Sequence, residues 1–273
     1  DERRKVVQIK NPLRAEDSFM RTTLVPALIK NIVHNVSHGN REFRLFEISR
    51  VFINDRSGVL PKERNHLAAA FYKEKTRTLY RDDVPDFYVF KGVFEAIIKD
   101  LKIYDCSFVR SSEPFLHPGQ SADIYIGDIK IGHIGALSPL ITDSLDIKAH
   151  KPSVFVMELD LDTLAPYALK ELRYSPLPKY PYIERDTALI IDESIESSMI
   201  TKWLESYSSD LIEDVSIFDV YKGRNIPEGK KSIAFNVRYR SSDRTLKDDE
   251  VDVMHNALVK YIIGKTKGQL RNS

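Results

Sequence analysis

The sequence predicts an α+β protein in two domains, each built on an antiparallel sheet: residues 1–174, a linker at 175–181, and residues 182–273. Three observations predict it. Short strand-like runs follow one another through tight turns, with helices inserted between them, which favours antiparallel pairing over βαβ repeats. The segment SPLPKYP (Ser175 to Pro181) puts three prolines in seven residues, the composition of an interdomain connection. Beyond it the elements run strand, helix, strand, strand, helix, strand.

Val6 to Ile9 is a short extended run stopped by Asn11-Pro12, because a residue before proline avoids the helical region. Leu24, Val25, Leu28, Ile29, Ile32, Val33 and Val36 form a broad apolar helical face. Pro26 requires that helix to start near Leu24, Asp17 or Ser18 is the expected cap, and Gly39 ends it. Glu42 to Phe52 alternates as a strand, and a second strand lies near His66 to Tyr72. Phe87, Phe90, Phe94, Ile97, Ile98 and Leu101 predict a helix over Pro85 to Leu101. Strands follow near Tyr104 to Arg110, Ser121 to Ile126 and Ile129 to Leu137, the last two joined by a hairpin at Gly127-Asp128. Pro139 to Leu145 is a short helix, Val154 to Leu159 a strand, and Asp160 to Tyr167 a short helix or turn.

In the second domain, Thr187 to Ile191 is a strand. A helix carries Ile195, Met199, Ile200, Trp203, Leu204 and Tyr207. Two strands then flank a basic loop between Asp214 and Leu246. In the second of them Ile233, Phe235, Val237 and Tyr239 alternate with Ser232, Asn236, Arg238 and Arg240, so one face is apolar and the other polar and basic. In the first, Asp219 and Tyr221 share one face and Phe218 and Val220 the other. A last helix carries Leu246, Val251, Met254, Leu258, Tyr261 and Ile262, with a capping-box-like start at Thr245 and Asp248. The terminal GQLR is an expected edge strand. The order βαββαβ is that of a ferredoxin-like sandwich, whose sheet has two helices on one face and is open on the other.

Composition bounds the function. The apolar fraction of 42% and charged fraction of 30% are those of a soluble globular chain. A net charge of +1 rules out generic polyanion binding by the whole chain, so any nucleic-acid surface must come from local segregation. That segregation is visible: eight Lys or Arg against two acids from Lys222 to Lys247, preceded by eight acids and one lysine from Asp192 to Asp219. A hydrogen-bonding face beside concentrated positive charge suits a phosphate-bearing partner. A single cysteine, Cys106, excludes an internal disulfide and a Cys-rich zinc site and fits a reducing cytoplasm. No run approaches the roughly 18 apolar residues of a membrane span, and no membrane contact is expected. No signal peptide is visible. The opening DERRKVVQIK, without an initiator Met, is expected to follow a removed upstream part.

Other motifs carry ordinary readings. Gly127, Gly132 and Gly135 lack dinucleotide-fingerprint spacing and are expected in turns. His117-Pro118-Gly119 is expected to be a turn. His34 and His38 can meet on one helical face but have no third ligand nearby. Asp248, Asp249, Glu250 and Asp252 sit at a helix start, where they complement the dipole. No Ser-His-Asp arrangement, paired carboxylates or phosphate loop stands out, so no catalytic and no metal-binding residue is assigned.

Specific stretches carry a family resemblance. RDTALIIDE (Arg185 to Glu193), FDVYKGRNIPEGKKSIAF (Phe218 to Phe235) and RTLKDDEV (Arg244 to Val251) resemble the ferredoxin-fold anticodon-binding domain that ends the β subunit of bacterial phenylalanyl-tRNA synthetase. NPL (Asn11 to Leu13), MRTTLVPALI (Met20 to Ile29), RLFEISRVF (Arg44 to Phe52), HPGQSA (His117 to Ala122) and IGHIGALSP (Ile131 to Pro139) resemble the catalytic-like domain of the same subunit. Together they cover essentially the whole chain; the family's upstream modules, including its editing domain, have no counterpart in it.

The resemblance implies a class II synthetase-like antiparallel sheet for Asp1 to Tyr174, a non-catalytic copy of the alpha-subunit core that builds the interface of an (alpha-beta)2 heterotetramer. Val154 to Leu164 takes the place of the family's ATP-binding motif 3, a Gly-rich strand followed by Glu-Arg. Here the glycines are absent and Leu161 stands about where the arginine would be, which argues against ATP chemistry by this chain. No cofactor is expected in the chain itself; ATP and magnesium are expected for the holoenzyme, and phenylalanine tRNA is the implied RNA partner. Asp219, Tyr221 and Ser232 stand where the family touches the first anticodon base. A Tyr ring stacks, an Asp accepts from base N–H groups, and a Ser does either hydrogen-bonding job. Arg185, Lys222, Lys231, Arg238 and Arg244 are candidates for contacts to the tRNA backbone on charge and placement. The alternative is a non-catalytic assembly module with little tRNA affinity of its own.

Overall fold

The computed structural model describes residues 2–15, 18–55, 60–74, 87–103, 105–145, 153–168, 177–207 and 209–271. The chain divides into two compact units, Asp1–Arg173 and Tyr174–Ser273. The proline-rich segment 175–181 lies partly outside the described residues.

The first unit is a six-stranded, fully antiparallel sheet in the order β1-β2-β6-β5-β4-β3. Its strands are β1 (Glu42–Ile53), β2 (Lys62–Lys73), β3 (Cys106–Arg110), β4 (Leu116–Ile126), β5 (Ile129–Leu137) and β6 (Ser153–Asp160). Helix α1 (Val25–Ser37) packs Leu28 and Ile32 on one face, against Val51, Ala68, Ala70 and Val156. Helix α2 (Phe87–Asp100) packs Phe90, Phe94 and Ile98 on the other, against Ile124, Ile134, Phe155 and Met157. Strand β6 is central and covered on both faces, so it reads as an apolar run broken only by Glu158. The short helices α3 (Pro139–Ser144) and α4 (Leu161–Leu164) flank β6 in sequence.

Three expectations are corrected in this unit. Strand β4 starts at Leu116, so His117-Pro118-Gly119 lies within it; the register slips between Leu116 and Ser121, and a proline is tolerated where the ladder is interrupted. Of the three glycines, Gly127 is in the hairpin with φ +56°, but Gly132 and Gly135 are inside β5. A Cβ at Gly132 would lie 2.2 Å from the Glu158 carbonyl oxygen, and one at Gly135 would lie 2.6 Å from Ser121 Cβ. Close strand approach, not a turn, explains both. Finally, Leu24 occupies the N-cap position of α1 with no side-chain cap; Asp17 lies outside the described residues, and Ser18 bonds to the Ala15 carbonyl.

The second unit has the sheet order β10-β7-β9-β8. Its elements are β7 (Ile183–Asp192), α5 (Ser197–Glu205), β8 (Ile212–Tyr221), β9 (Lys230–Tyr239), α6 (Asp248–Thr266) and β10 (Gln269–Leu270). The sequence βαββαβ with this antiparallel order is the ferredoxin-like sandwich. Ile233, Phe235, Val237 and Tyr239 of β9 are fully buried beneath Ile200 and Leu204 of α5 and Val251, Leu258 and Ile262 of α6. Among the described residues no helix covers the opposite face. The N-cap position of α6 is Lys247 with no side-chain cap, so Thr245 and Asp248 form no capping box.

One buried polar group ties this sandwich together. His255 of α6, 8% exposed, places Nε2 2.6 Å from Thr187 Oγ1 and Nδ1 2.9 Å from Tyr239 Oη. A neutral ring makes both bonds, one nitrogen donating and the other accepting. Burial, helped by the Arg185 charge, holds its pKa below the ordinary 6.5. Below that value the unfolded chain therefore takes up a proton that the folded chain refuses. This contribution to stability is complete above pH 6.5, and is lost on acidification at up to about 1.4 kcal/mol per pH unit. Thermal melts between about pH 7.5 and 5.5 should show that loss. In a His255→Gln chain the slope should be shallower; an identical slope would remove His255 from the account.

Candidate nucleic-acid interface

The open face of the second sheet is built from rows of residues on neighbouring strands. Tyr221 of β8 pairs with Ser232 of β9, and Ser232 with Ile190 of β7. In the next row Asp219 pairs with Ala234 and Ala234 with Ala188, and the Arg271 backbone N–H donates to the Ala188 carbonyl at 2.9 Å. Beyond these lie Ser216–Asn236–Asp186 and Asp214–Arg238–Glu184. The centre is thus floored by Ala188, Ala234 and Ser232 with Ile190 beside them, and Tyr221, Asp219 and Arg271 rise around it.

A bulge sets this arrangement. Simple alternation would put Ile217 on the same side as Asp219 and Tyr221, yet Ile217 packs into the core. The register of β8 against β9 slips between Ile217 and Asp219, at Phe218, which is 59% exposed. One extra residue turns Asp219 and Tyr221 to the open side. Sequence reasoning placed those two together correctly, but the bulge that puts them with Ser216 leaves no clear mark in the sequence.

Tyr221 is held from three sides. Its hydroxyl donates to the Arg224 carbonyl at 3.4 Å, the Arg271 guanidinium lies 5.4 Å from its ring centroid, and a Cβ on Gly223 would fall 2.6 Å from its hydroxyl oxygen. Ser232 is only 2% exposed and accepts a 3.3 Å hydrogen bond from Arg271 Nη1. A ligand reaches the Ser232 hydroxyl only by displacing a neighbour. Asp219 is exposed.

The five basic candidates do not form one surface. Arg185 pairs with Val237 in register, which puts it on the helix side of the sheet, where it donates to Asp248 and Asp252 of α6 at 2.6 and 2.8 Å. Lys231 shares that parity and is 7% exposed; burial, with Lys222 nearby, lowers its pKa. Neither is a solvated cation on the open face. Arg244 lies outside the sheet and is held by Glu250. Arg238 is on the open face but six residues along β9 from Ser232, bound to Glu184 and stacked 4.3 Å from the Tyr182 ring. Lys222 follows Tyr221 directly and pairs with Glu193. The acids at the start of α6 therefore do more than complement its dipole: they take up Arg185 and Arg244. A residue count shows charge but not its pairing.

Arg271 was missed. GQLR was legible as an edge strand, but only the pairing of β10 with β7 shows that Arg271 crosses the sheet to Ser232 and Tyr221.

The first unit presents a different surface. Its sheet face beside α1 carries the row Asp123–His133–Glu158. Burial works to raise the Glu158 pKa, but hydrogen bonds from His66 and Thr23 outweigh it and hold the carboxylate ionised. Glu113 is likewise held low by Arg3 and Lys130 against its burial. Buried His133 is pushed down and stays neutral. A face already filled by these carboxylates, their partners paired internally, does not fit a nucleotide triphosphate. Among the described residues, no group of three His, Cys, Asp or Glu side chains is placed to hold a metal ion, and no helix is long and apolar enough to cross a membrane.

Known proteins match along nearly the whole length. The family described as the phenylalanyl tRNA synthetase beta chain CLM domain matches residues 1–161, and the ferredoxin-fold anticodon binding domain matches residues 178–271. A phenylalanine–tRNA ligase beta subunit of Syntrophotalea carbinolica is 38% identical over 274 residues, 99% of this chain and 34% of that one. The beta subunit of Syntrophus aciditrophicus is 36% identical, with 99% and 34% covered, and that of Clostridium tetani 37% identical, with 98% and 32% covered. The chain spans about a third of the length of these curated relatives.

Proposed function

Because this chain belongs to the phenylalanyl tRNA synthetase beta chain family, we propose that it is the part of a phenylalanine–tRNA ligase beta subunit that holds the anticodon loop of phenylalanine tRNA. The observation that carries this reading is the Ala188–Ala234 floor of the open sheet, ringed by Tyr221, Asp219 and Arg271, with Ser232 beneath Arg271. A flat floor accepts an unstacked base, Tyr221 offers a stacking face, and Asp219 accepts from base N–H groups. Lys222 is the basic candidate nearest this site, and its exposed pair with Glu193 is weak enough for a phosphate to replace. Arg238 and Arg244 serve the backbone only after leaving their carboxylates.

In this reading the chain assembles with an alpha subunit as an (alpha-beta)2 heterotetramer in the cytoplasm. ATP and magnesium act in the alpha subunit, and 175–181 links the two domains. What this chain's residues do is bind and orient tRNA. The second reading, an assembly module with little tRNA affinity of its own, is favoured by an apolar groove of about 290 Å³ between β1, β2 and α2. Phe46, Ile48 and Val93 line it and are 74%, 61% and 43% exposed, an apolar patch suited to burial against the alpha subunit.

Titrating the chain with phenylalanine tRNA and with the same tRNA changed at its first anticodon base, over a range of salt, separates the two readings. Tighter binding of the native anticodon is expected, with a shallow salt slope because four of the five candidate cations, Arg185, Lys222, Arg238 and Arg244, are paired internally. Equal or absent binding of the two tRNAs would favour the assembly module.

A further inference from the structure

The apolar groove of the first unit, between β1, β2 and α2, has a single charged residue among its described lining residues, Arg44. Its floor is built from paired residues of the sheet: Arg44 with Phe71, Phe46 with Ala69 and Met157, and Ile48 with Leu67. Val93 and Ile97 of α2 form the facing wall. Ala69 is the smallest side chain of the floor, so the surface dips there between Phe46 and Met157. The trough follows β1 from Arg44 to Ile48, a length of roughly 13 Å at the rise of an extended strand.

Arg44 is the exception to the charge pairing around this groove. On β1 Glu42 meets Lys73 and Arg50 meets Glu63, and on α2 Lys91 meets Glu95. Among the described residues Arg44 has no carboxylate partner; its guanidinium lies 5.2 Å from the Phe71 ring centroid. Resting on a ring face, it keeps its N–H donors for an anion.

We propose that this groove binds an unbranched alkyl carboxylate, with the chain along the trough and the head group on Arg44 at its end. The carboxylate accepts from the guanidinium fork as a bidentate partner. The chain covers Phe46 and Ile48, which are 74% and 61% exposed. The volume of about 290 Å³ lies at the lower end of small-ligand sites, which suits a chain of medium length. A free amino acid fits the same lining poorly, because no acid among the described lining residues would meet its ammonium group. The site lies wholly in the first unit and owes nothing to the open face of the second.

The test uses the full-length beta subunit carrying this chain, assembled with its alpha subunit. Ligand-observed NMR titrations follow butanoate, hexanoate and octanoate, with 1-octanol as the uncharged control. Affinity should rise about fourfold per added methylene, and octanoate should bind more tightly than 1-octanol. Arg44→Ala should weaken octanoate about tenfold or more and leave 1-octanol unchanged. Arg44→Lys keeps the charge but loses the fork, so it should fall between. Ala69→Leu fills the dip in the floor and should remove binding of both ligands, while unchanged aminoacylation of tRNA shows that the enzyme is intact. Equal binding of octanoate and 1-octanol, or octanoate binding that survives Arg44→Ala or Ala69→Leu at full strength, would overturn the proposal. No binding to the assembled enzyme would overturn it too, and would give the groove to the alpha subunit.

Discussion

Replacing Glu158 by alanine is expected to destabilise the first unit by about 3–5 kcal/mol. The carboxylate is 3% exposed and closes three contacts from distant parts of the chain. It accepts from the Leu24 backbone N–H at 3.0 Å, from the Thr23 hydroxyl, and from His66 Nδ1 at 2.7 Å. It therefore supplies in trans the cap that α1 lacks in its own sequence, and it fastens the start of that helix to β6. Alanine would leave the buried Leu24 N–H without an acceptor and the part-buried His66 imidazole without its carboxylate. Glu158→Gln should fall between, because its amide oxygen still accepts while its NH₂ meets other donors. Urea unfolding measures both as midpoint shifts at unchanged slope. A loss below about 1 kcal/mol for alanine would show that α1 docks through Leu28 and Ile32 alone.

That carboxylate also marks the limit of what the sequence discloses. The apolar run from Val154 to Leu159 was legible as a strand, but nothing in it singled out Glu158. Its partners lie 92 and 135 positions away in the chain, so no local pattern announces them. Caps that a sequence window can suggest, at Ser18 and at Thr245 and Asp248, are not the ones the fold uses. The second sheet was more legible, because the alternation along β9 is a local property that survives folding: Ile233, Phe235, Val237 and Tyr239 are all fully buried. The basic stretch was legible as composition and misleading as a surface. Arg185 and Lys231 differ from Arg238 by strand parity, which places them on the helix side, and pairing across strands decides which cations keep their charge for a partner. Arg271 carries no signal at all until β10 is in register.

The tyrosine offers a second test of large effect, one that can be made without removing the ring. Tyr221→Ala should weaken binding of phenylalanine tRNA by about 1–3 kcal/mol, the worth of stacking one base on an aromatic side chain. Gly223 sets where that ring rests: a Cβ there would sit 2.6 Å from the hydroxyl oxygen and 2.9 Å from Cζ. Gly223 has no left-handed backbone to protect, so Gly223→Ala should fold with stability within about 0.5 kcal/mol of the parent. The ring must swing away from the added methyl and break its bond to the Arg224 carbonyl. Binding should then fall part of the way towards the Tyr221→Ala value, with the tyrosine still present. Wild-type affinity in Gly223→Ala beside a clear loss in Tyr221→Ala would mean that the ring finds its base whatever its resting place. Wild-type affinity in both would move base stacking away from Tyr221 altogether. A graded pair of losses ties affinity to the orientation of the ring, which the β8 bulge and the loop behind it impose.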